Sequence, residues 1–490
     1  MVGPEFTILV GAGAEAILPA AGELAGRLRR ATGFAVTVVR ASAGEPPDGC
    51  LLLGLSSQVA AANESYRMDV NSRGAEITSG SPEGLFRGLQ TFRQVLPAEI
   101  ESGQPLNGPV PVPCLRIIDR PRFAWRGFML DCGRHFMPKD KLKDVLDLLA
   151  LYKFNRFHWH LTEDQGWRLE IRKYPRLTKT GAWRGSGRER HGGFYTQDDV
   201  RDIVAYAKAR FIEVVPEIEM PGHCVAALAS YPGLSCGGVP LKVSTEWGIH
   251  DDVFCAGKEE TFKFIEGVLD EATGLFPFPY FHVGGDEVPR VRWNDCPDCQ
   301  ARIKAEGLAG ADALQGWFIG RVAKMLAARG KRTICWDEAL DSGPPPGVVI
   351  QVWRASMNAV SRAALAGLDV IHSPYSHAYL SYGIAGYWMD LKWVHGWEPA
   401  MEGDPPRKVD SRLLKDHLTG GEACLWTEGV ESGDVEAMII PRLLAIAEDL
   451  WSSPAGKEWR EFERRVADHR GRLEAAGACV GPSVYEEVQH

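Results

Sequence analysis

Residues 127–161 read GFMLDCGRHFMPKDKLKDVLDLLALYKFNRFHWHL, and two periodicities inside that stretch decide the fold. Gly127–Asp131 is a short apolar run of strand length, Lys139–Lys153 carries leucine and valine at helical spacing, and Arg156–Leu161 is strand-like again. Strand, helix and strand in close succession form a βαβ unit, whose two strands lie parallel. The alternation continues downstream. Further strand candidates are Glu213–Glu219, Tyr280–Gly285, Thr333–Asp337, Val348–Trp353, Asp369–Ser373 and Glu422–Thr427. Helical patterns cover Gln197–Arg210, Glu259–Leu275, Ala313–Arg329, Ala359–Ala366 and Ala437–Trp451. Eight strands in this order predict an α/β protein with a closed (β/α)8 TIM-type barrel. One helix is missing: only Leu340–Gly347, with Pro344-Pro345-Pro346, separates strands five and six, and no helix fits there.

Outward from the barrel, residues 1–115 read as a small α+β unit. Glu15–Arg30 has helical spacing, Ala35–Arg40 and Cys50–Leu55 are strand-like, and Tyr66–Val70 and Ala75–Ser79 flank a hairpin turn, Asn71-Ser72-Arg73-Gly74, with the glycine supplying a positive φ. Pro82 opens a helix to about Leu96, and the prolines from Pro97 to Pro113 mark a boundary. The barrel is expected over 116–455 and a charged helix, Glu458–Ala476, with a tail over 456–490, packed on the barrel.

The 490-residue chain is 45% hydrophobic and 24% charged, a balance that excludes extended disorder. A net charge of −9 argues against a nucleic-acid partner. No apolar run has the roughly 18 residues of a membrane span, so no membrane partner is expected. The start, MVGPEFTILVGAGAEAILP, has no signal-peptide pattern. The expected location is therefore the cytoplasm, or the exterior after removal of an export signal, and Met1–Phe6 is a candidate for residues foreign to the native chain. The 11 cysteines are odd in number and dispersed, against a full disulfide framework.

Barrel enzymes carry their chemistry at the C-terminal strand ends. Here those ends hold Asp131 and Arg134; His158, His160, Glu163 and Asp164; Glu217, Glu219 and His223; Asp286 and Glu287; Trp336, Asp337 and Glu338; Trp353; Tyr379; and Trp426 with Glu428. Carboxylates, tryptophans and an arginine around one mouth suit a sugar, whose ring packs on aromatic faces and whose hydroxyls pair with charged groups. The sharpest motif is Phe281-His282-Val283-Gly284-Gly285-Asp286-Glu287. Its glycines permit close backbone approach, and its adjacent acids repel, so at least one is expected to hold its proton unusually well. A glycosidase needs such an acid to protonate the leaving oxygen. Spacing alone also admits a pair of helix-capping acids.

GGDE, together with RGFMLDCGRHF (126–136), HWHLTEDQGWRLEI (158–171), PEIEMPGH (216–223) and GGEACLWTE (420–428), resembles glycoside hydrolase family 20, the β-N-acetylhexosaminidases. The ordered match runs from about Arg116 to Trp451, and the leading α+β unit is similar to the family's accessory domain. The resemblance implies an exo-acting, retaining mechanism without an enzyme nucleophile: the substrate's 2-acetamido oxygen attacks the anomeric carbon and water opens the resulting oxazolinium ion. It implies Glu287 as general acid and base, and Asp286 as the group that orients the acetamido N–H. Arg134 and Glu428 would hold the 3- and 4-hydroxyls, and Trp336, Trp353 and Trp426 would wall the pocket. Tyr379 would bond the acetamido oxygen, and His223 would sit behind Glu287 with Glu163 as its partner. The family often has Asp at the position of Glu163. It often has Tyr-x-Asp where this chain has Tyr379-Leu380-Ser381, so Ser381 predicts a changed preference at the C4 or C6 edge, such as tolerance of a 6-sulfate. The implied partner is a glycan or amino-sugar oligosaccharide with no cofactor or metal, and a homodimer stays open.

Rival readings remain at this level. Within the family, a disaccharide-releasing lacto-N-biosidase type is the alternative. Outside the mechanism stand a catalytically silent glycan-binding barrel and a metal-dependent hydrolase using His158 and His160, with His223 and Glu219 as further ligands. A packed, hydrogen-bonded pair is the expected role of those two histidines. Cys296-Pro297-Asp298-Cys299 has no second pair at zinc spacing, so it reads as a loop staple or free thiols. Trp317 is expected in the core, Trp388 need not be a ligand contact, Trp393 and Trp397 either line an outer subsite or pack their loop, and Arg184–Arg190 reads as a solvated loop.

Overall fold

The structure is a computed structural model that describes residues 1–42, 46–60, 64–106, 108–355, 357–381, 389–403 and 406–482. Trp388 lies outside the described residues. The eight expected strands close into a barrel. In chain order they are Trp125–Asp131, Arg156–His160, Glu213–Glu217, Tyr280–His282, Arg332–Trp336, Val349–Val352, Asp369–His372 and Leu418–Leu425, with the last pairing in parallel with the first. Between strands five and six only a 3-10 turn, Asp337–Leu340, occurs, as the three prolines require. The helix expected over Ala437–Trp451 is two helices, Val435–Ile439 and Arg442–Trp451. Pro441 has no N–H to continue the first one.

Period-two alternation fills the barrel in layers. At the bottom, Trp125, Val215, Ile334, Val349 and Ile371 form an apolar plug. Above it the inward residues turn polar: His158, Glu217, Gln351 and Glu422 are all fully buried or nearly so. Strand register sets Asp131 beside His160, His160 beside Glu217, and Glu217 beside His282, so the top rim is polar by construction. The βα-loops above these strand ends shape the site.

The leading unit is a six-stranded sheet. Its order is Thr37–Arg40, Thr7–Val10, Cys50–Leu55, Gly74–Ser79, Tyr66–Val70 and Leu115–Asp119, with helices Leu18–Thr32 and Pro82–Val95 packed against it. Thr7–Val10 is a strand that pattern reading passed over. Leu115–Asp119 pairs with Tyr66–Val70, so the sheet continues beyond the expected boundary at 115/116. Val2 is buried and exchanges two backbone hydrogen bonds with Val110, which ties residues 1–6 to the fold. The hairpin turn also differs from expectation. Gly74 is not among the positive-φ residues; the Asn71 side chain makes the turn by accepting from Arg73 N and Gly74 N. Glycine is needed there because a Cβ would lie 2.8 Å from the Cys50 carbonyl.

Charged groups weld this unit to the barrel. Glu64 accepts from Arg87, Arg126 and Asn155, and the burial that would push its carboxyl up is outweighed by the two guanidinium charges, which bring it down to about 2. The C-terminal helix Trp459–Ala475 reaches both units: Arg472 binds Glu101 and the carbonyls of Arg93, Gln94 and Leu96, while His469 meets Tyr152 of the barrel. Among the described residues no helix is long and apolar enough to cross a membrane.

Candidate active site

The loop after strand four begins with Gly284 and Gly285, both at positive φ, and a Cβ on Gly284 would stand 1.8 Å from a Glu219 oxygen. Only glycine allows this approach. The turn throws Asp286 and Glu287 up at the mouth in contrasting surroundings. Asp286 has a side chain 13% exposed and an Oδ1 with no hydrogen-bond partner among the described residues; Glu287 is 36% exposed. Burial pushes the Asp286 carboxyl up to about 7, against the attraction of His223 and with the charges of Glu287, Glu217 and Glu163 adding to the rise. The adjacent acids thus contain one reluctant to ionise, and it is Asp286. Below it, Glu219 is buried with both oxygens unpartnered among the described residues, and burial with the charges of Asp286 and Glu217 raises it well above the ordinary range.

His223, at positive φ, connects the acids. Its Nε2 lies 3.4 Å from Glu287 and 3.8 Å from Asp286, while its Nδ1 lies 3.2 Å from Glu163 and 3.3 Å from Asp164. Burial opposes its charge, but Glu163, Asp164 and Glu287 outweigh burial and raise it well above the ordinary histidine value. Glu163 therefore stands where it was expected, and Asp164 shares the position, a role the sequence did not reveal. Glu163 also pairs with Arg134 at 2.9 Å, and these two cations hold it well below the carboxylate range despite its burial.

Across the mouth, Arg134 lies 3.3 Å from Asp131 and 3.6 Å from Glu428, with its guanidinium 4.9 Å over the Trp426 ring. Arg184, expected in a solvated loop, is buried instead. It donates to the Arg134 carbonyl, lies against His135, and packs over Trp247. The aromatic side chains come together in one wall: Tyr379 stacks on Trp353 at 6.4 Å and neighbours Trp426 at 6.0 Å, and Trp426 lies 6.0 Å from Trp336. The Trp353 indole N–H donates to Glu338, whose carboxyl is raised to about 8 by burial and by the charges of Asp337 and Asp286. The Ser381 hydroxyl accepts the Trp426 backbone N–H at 2.8 Å, fixing the wall from behind.

The His158–His160 pair sits under this floor. His158 donates its Nδ1–H to the Glu422 carboxylate at 2.7 Å and lies 3.0 Å from Glu217; His160 bonds Glu217. Burial disfavours their charge, yet the flanking carboxylates raise them to about 9 and about 10. The arrangement fits the packed, hydrogen-bonded pair. Trp336 donates its indole N–H to Glu217, coupling wall and floor. Of the remaining tryptophans, Trp317 is half-buried on the helix Ala311–Ala327 against Phe262, Trp397 is buried in its loop, and Trp393 is exposed and stacked on His377.

Comparison with known proteins agrees with this geometry. The model of the glycosyl hydrolase family 20 catalytic domain matches residues 123–454, and that of the family's domain 2 matches 3–120. A beta-hexosaminidase of Porphyromonas gingivalis is 41% identical over 95% of this chain, which spans 60% of that protein's length. A beta-N-acetylhexosaminidase of Cellulomonas fimi is 35% identical over 95% of this chain and 90% of its own. The solved structure of the GH20 beta-N-acetylhexosaminidase from Streptomyces coelicolor superposes with a TM-score of 0.83 at 33% identity, covering 100% of this chain and 94% of that one. A paired acid turn, a histidine bridge and an aromatic wall at the top of a closed barrel thus coincide with matches along nearly the whole length, and the chain belongs to glycosyl hydrolase family 20.

Proposed function

We propose that this protein is an exo-acting, retaining β-N-acetylhexosaminidase that removes terminal β-linked GlcNAc or GalNAc with help from the substrate's own acetamido group. The observation that carries the reading is the contrast between Asp286 and Glu287. Asp286 is buried with a free acceptor oxygen and, in its ionised form, is suited to take an N–H from the 2-acetamido group and to stabilise the positive charge that develops as its oxygen attacks the anomeric carbon. Glu287 reaches solvent, as a group must that first protonates the departing oxygen and then deprotonates an incoming water. His223 serves both half-reactions. As Glu287 gives up its proton, the imidazolium stabilises the carboxylate left behind, while Glu163 and Asp164 keep the ring charged. Tethering of the nucleophile to the sugar supplies the proximity that a separate carboxylate would otherwise provide.

The wall of Trp336, Trp353, Tyr379 and Trp426 supports the sugar's face and the acetamido methyl, and Arg134 with Glu428 supports the 3- and 4-hydroxyls. Ser381, bonded behind Trp426, is neutral where the longer side chain of an aspartate would carry charge toward the sugar's outer edge, which supports tolerance of an anionic 6-substituent. The test is release of p-nitrophenol from its β-GlcNAc glycoside by wild type and Glu287→Gln, with a series of N-acetyl groups bearing one to three fluorines. Fluorination weakens the acetamido oxygen as a nucleophile, so the rate is expected to fall steeply along the series, and Glu287→Gln to lose most turnover. A rate indifferent to fluorination would refute acetamido participation. No turnover of the monosaccharide glycoside, with turnover of a β-linked disaccharide glycoside, would favour the lacto-N-biosidase reading.

A further inference from the structure

Four cysteines converge beside the active site. The sequence shows one close pair, Cys296-Pro297-Asp298-Cys299; the fold brings Cys236 and Cys255 against it from the preceding loop. The Cys255 sulfur lies 3.6 Å from that of Cys299 and 3.7 Å from that of Cys296, and the Cys236 and Cys299 sulfurs are 3.8 Å apart. All four Sγ atoms lie within 4.8 Å of one another. A disulfide needs about 2.05 Å, so no two of them are bonded. Four thiolates around zinc at about 2.3 Å stand at the corners of a tetrahedron whose edge is about 3.8 Å, and the three contacts of 3.6, 3.7 and 3.8 Å match it.

From this geometry we infer that Cys236, Cys255, Cys296 and Cys299 bind one structural zinc ion. The surroundings suit four thiolates. Cys296 is the residue before the helix Pro297–Ala305 and Cys299 lies in its first turn, where unpaired N–H groups favour negative charge. Lys258 binds the carbonyls of Gly233 and Ser235, the neighbours of Leu234 and Cys236, so one cation stands beside the loop that carries Cys236. Gly257 lies so close to the cysteine turn that a Cβ would come within 2.2 Å of the Asp298 carbonyl carbon.

The ion would staple two catalytic loops together. Cys236 and Cys255 belong to the loop after strand three, which carries His223; Cys296 and Cys299 belong to the loop after strand four, which carries Asp286 and Glu287. The link to His223 is short, because Phe254, next to Cys255, donates its N–H to the Pro221 carbonyl at 2.9 Å and accepts the Trp293 indole N–H at 3.0 Å. Zinc is redox-inert and four-coordinate in such a site, with no position left for substrate, so its role is to hold the His223–Glu287 contact.

The decisive experiment is elemental analysis of the full-length protein purified without chelators or a metal-affinity step. The expected result is one zinc per chain, released into a zinc-responsive dye when a mercurial reagent blocks the protein's thiols. Cys255→Ser and Cys299→Ser should each lose the metal, whereas Cys335→Ser, a buried cysteine outside the cluster, should keep it. Cobalt in place of zinc should show the visible bands of a tetrahedral thiolate site. Wild type with less than about a tenth of a zinc per chain would overturn the assignment, because so tight a site does not empty on dilution. Disulfides among these four cysteines by mass spectrometry, iron in place of zinc, or zinc retained by the Cys255→Ser/Cys299→Ser double variant would overturn it equally. The wild-type metal content decides the matter even if the variants fold poorly.

Discussion

The raised carboxyl of Asp286 makes a quantitative statement about the cost of the active site. In an unfolded chain the group would ionise near 3.8; in the fold it is raised to about 7, chiefly by burial. Such a displacement penalises the ionised form of the native protein. The penalty is absent below 3.8, grows between 3.8 and about 7, and is complete above 7. At 1.36 kcal/mol per pH unit it amounts to ~4 kcal/mol at pH 8 and less than ~1 kcal/mol at pH 4. Asp286→Asn keeps the shape and removes the charge. The variant is therefore expected to be more stable than wild type at pH 8, with a Tm higher by ~8 °C if ~2 °C follows each kcal/mol in a chain of this size. The difference should shrink to near zero at pH 4. Turnover should move the other way, with kcat lower by ~10²–10³-fold, the usual consequence of losing one group aimed at developing charge. Scanning calorimetry across pH 4–8, with kcat and KM at each pH, reads both effects. An Asn variant no more stable than wild type at pH 8, or a stability gap independent of pH, would refute the reasoning.

Glu64→Gln leaves Arg87 and Arg126 buried without their shared carboxylate, and a loss of ~3–5 kcal/mol is expected from breaking such a pair. Because Glu64 is lowered from 4.5 to about 2, its contribution is full above pH 4.5 and lost as pH falls through 2, so urea unfolding should show the variant's deficit greatest at neutral pH and declining in acid. Ser381→Asp replaces the hydroxyl behind Trp426 with a longer, charged side chain. The ratio of kcat/KM for a 6-sulfated over an unsubstituted substrate should fall by at least ~10-fold from like-charge repulsion, and an unchanged ratio would dissociate Ser381 from the sugar's outer edge.

The sequence alone determined the barrel and which residues stand at the ends of its strands. Strand and helix periods alternate visibly from Gly127 onward, the prolines at 344–346 announce the missing helix, and a closed parallel barrel necessarily gathers every strand end on one face. Residues such as Arg134, His223, Asp286, Glu287 and Trp426 could therefore be placed together from their positions in the chain. Turn chemistry was less legible: Gly74 serves close packing, not a positive φ, because the Asn71 side chain already makes the turn. The tertiary structure decided what depends on burial and on distance through space. Burial selects Asp286 as the raised acid, folds Arg184 against the Arg134 backbone, and gives Asp164 a share in His223. Cys236 and Cys299 lie 63 positions apart in the chain and 3.8 Å apart in space. No spacing rule reports such a pair, because local sequence encodes backbone periodicity, while desolvation and the convergence of distant loops arise only when the chain closes on itself.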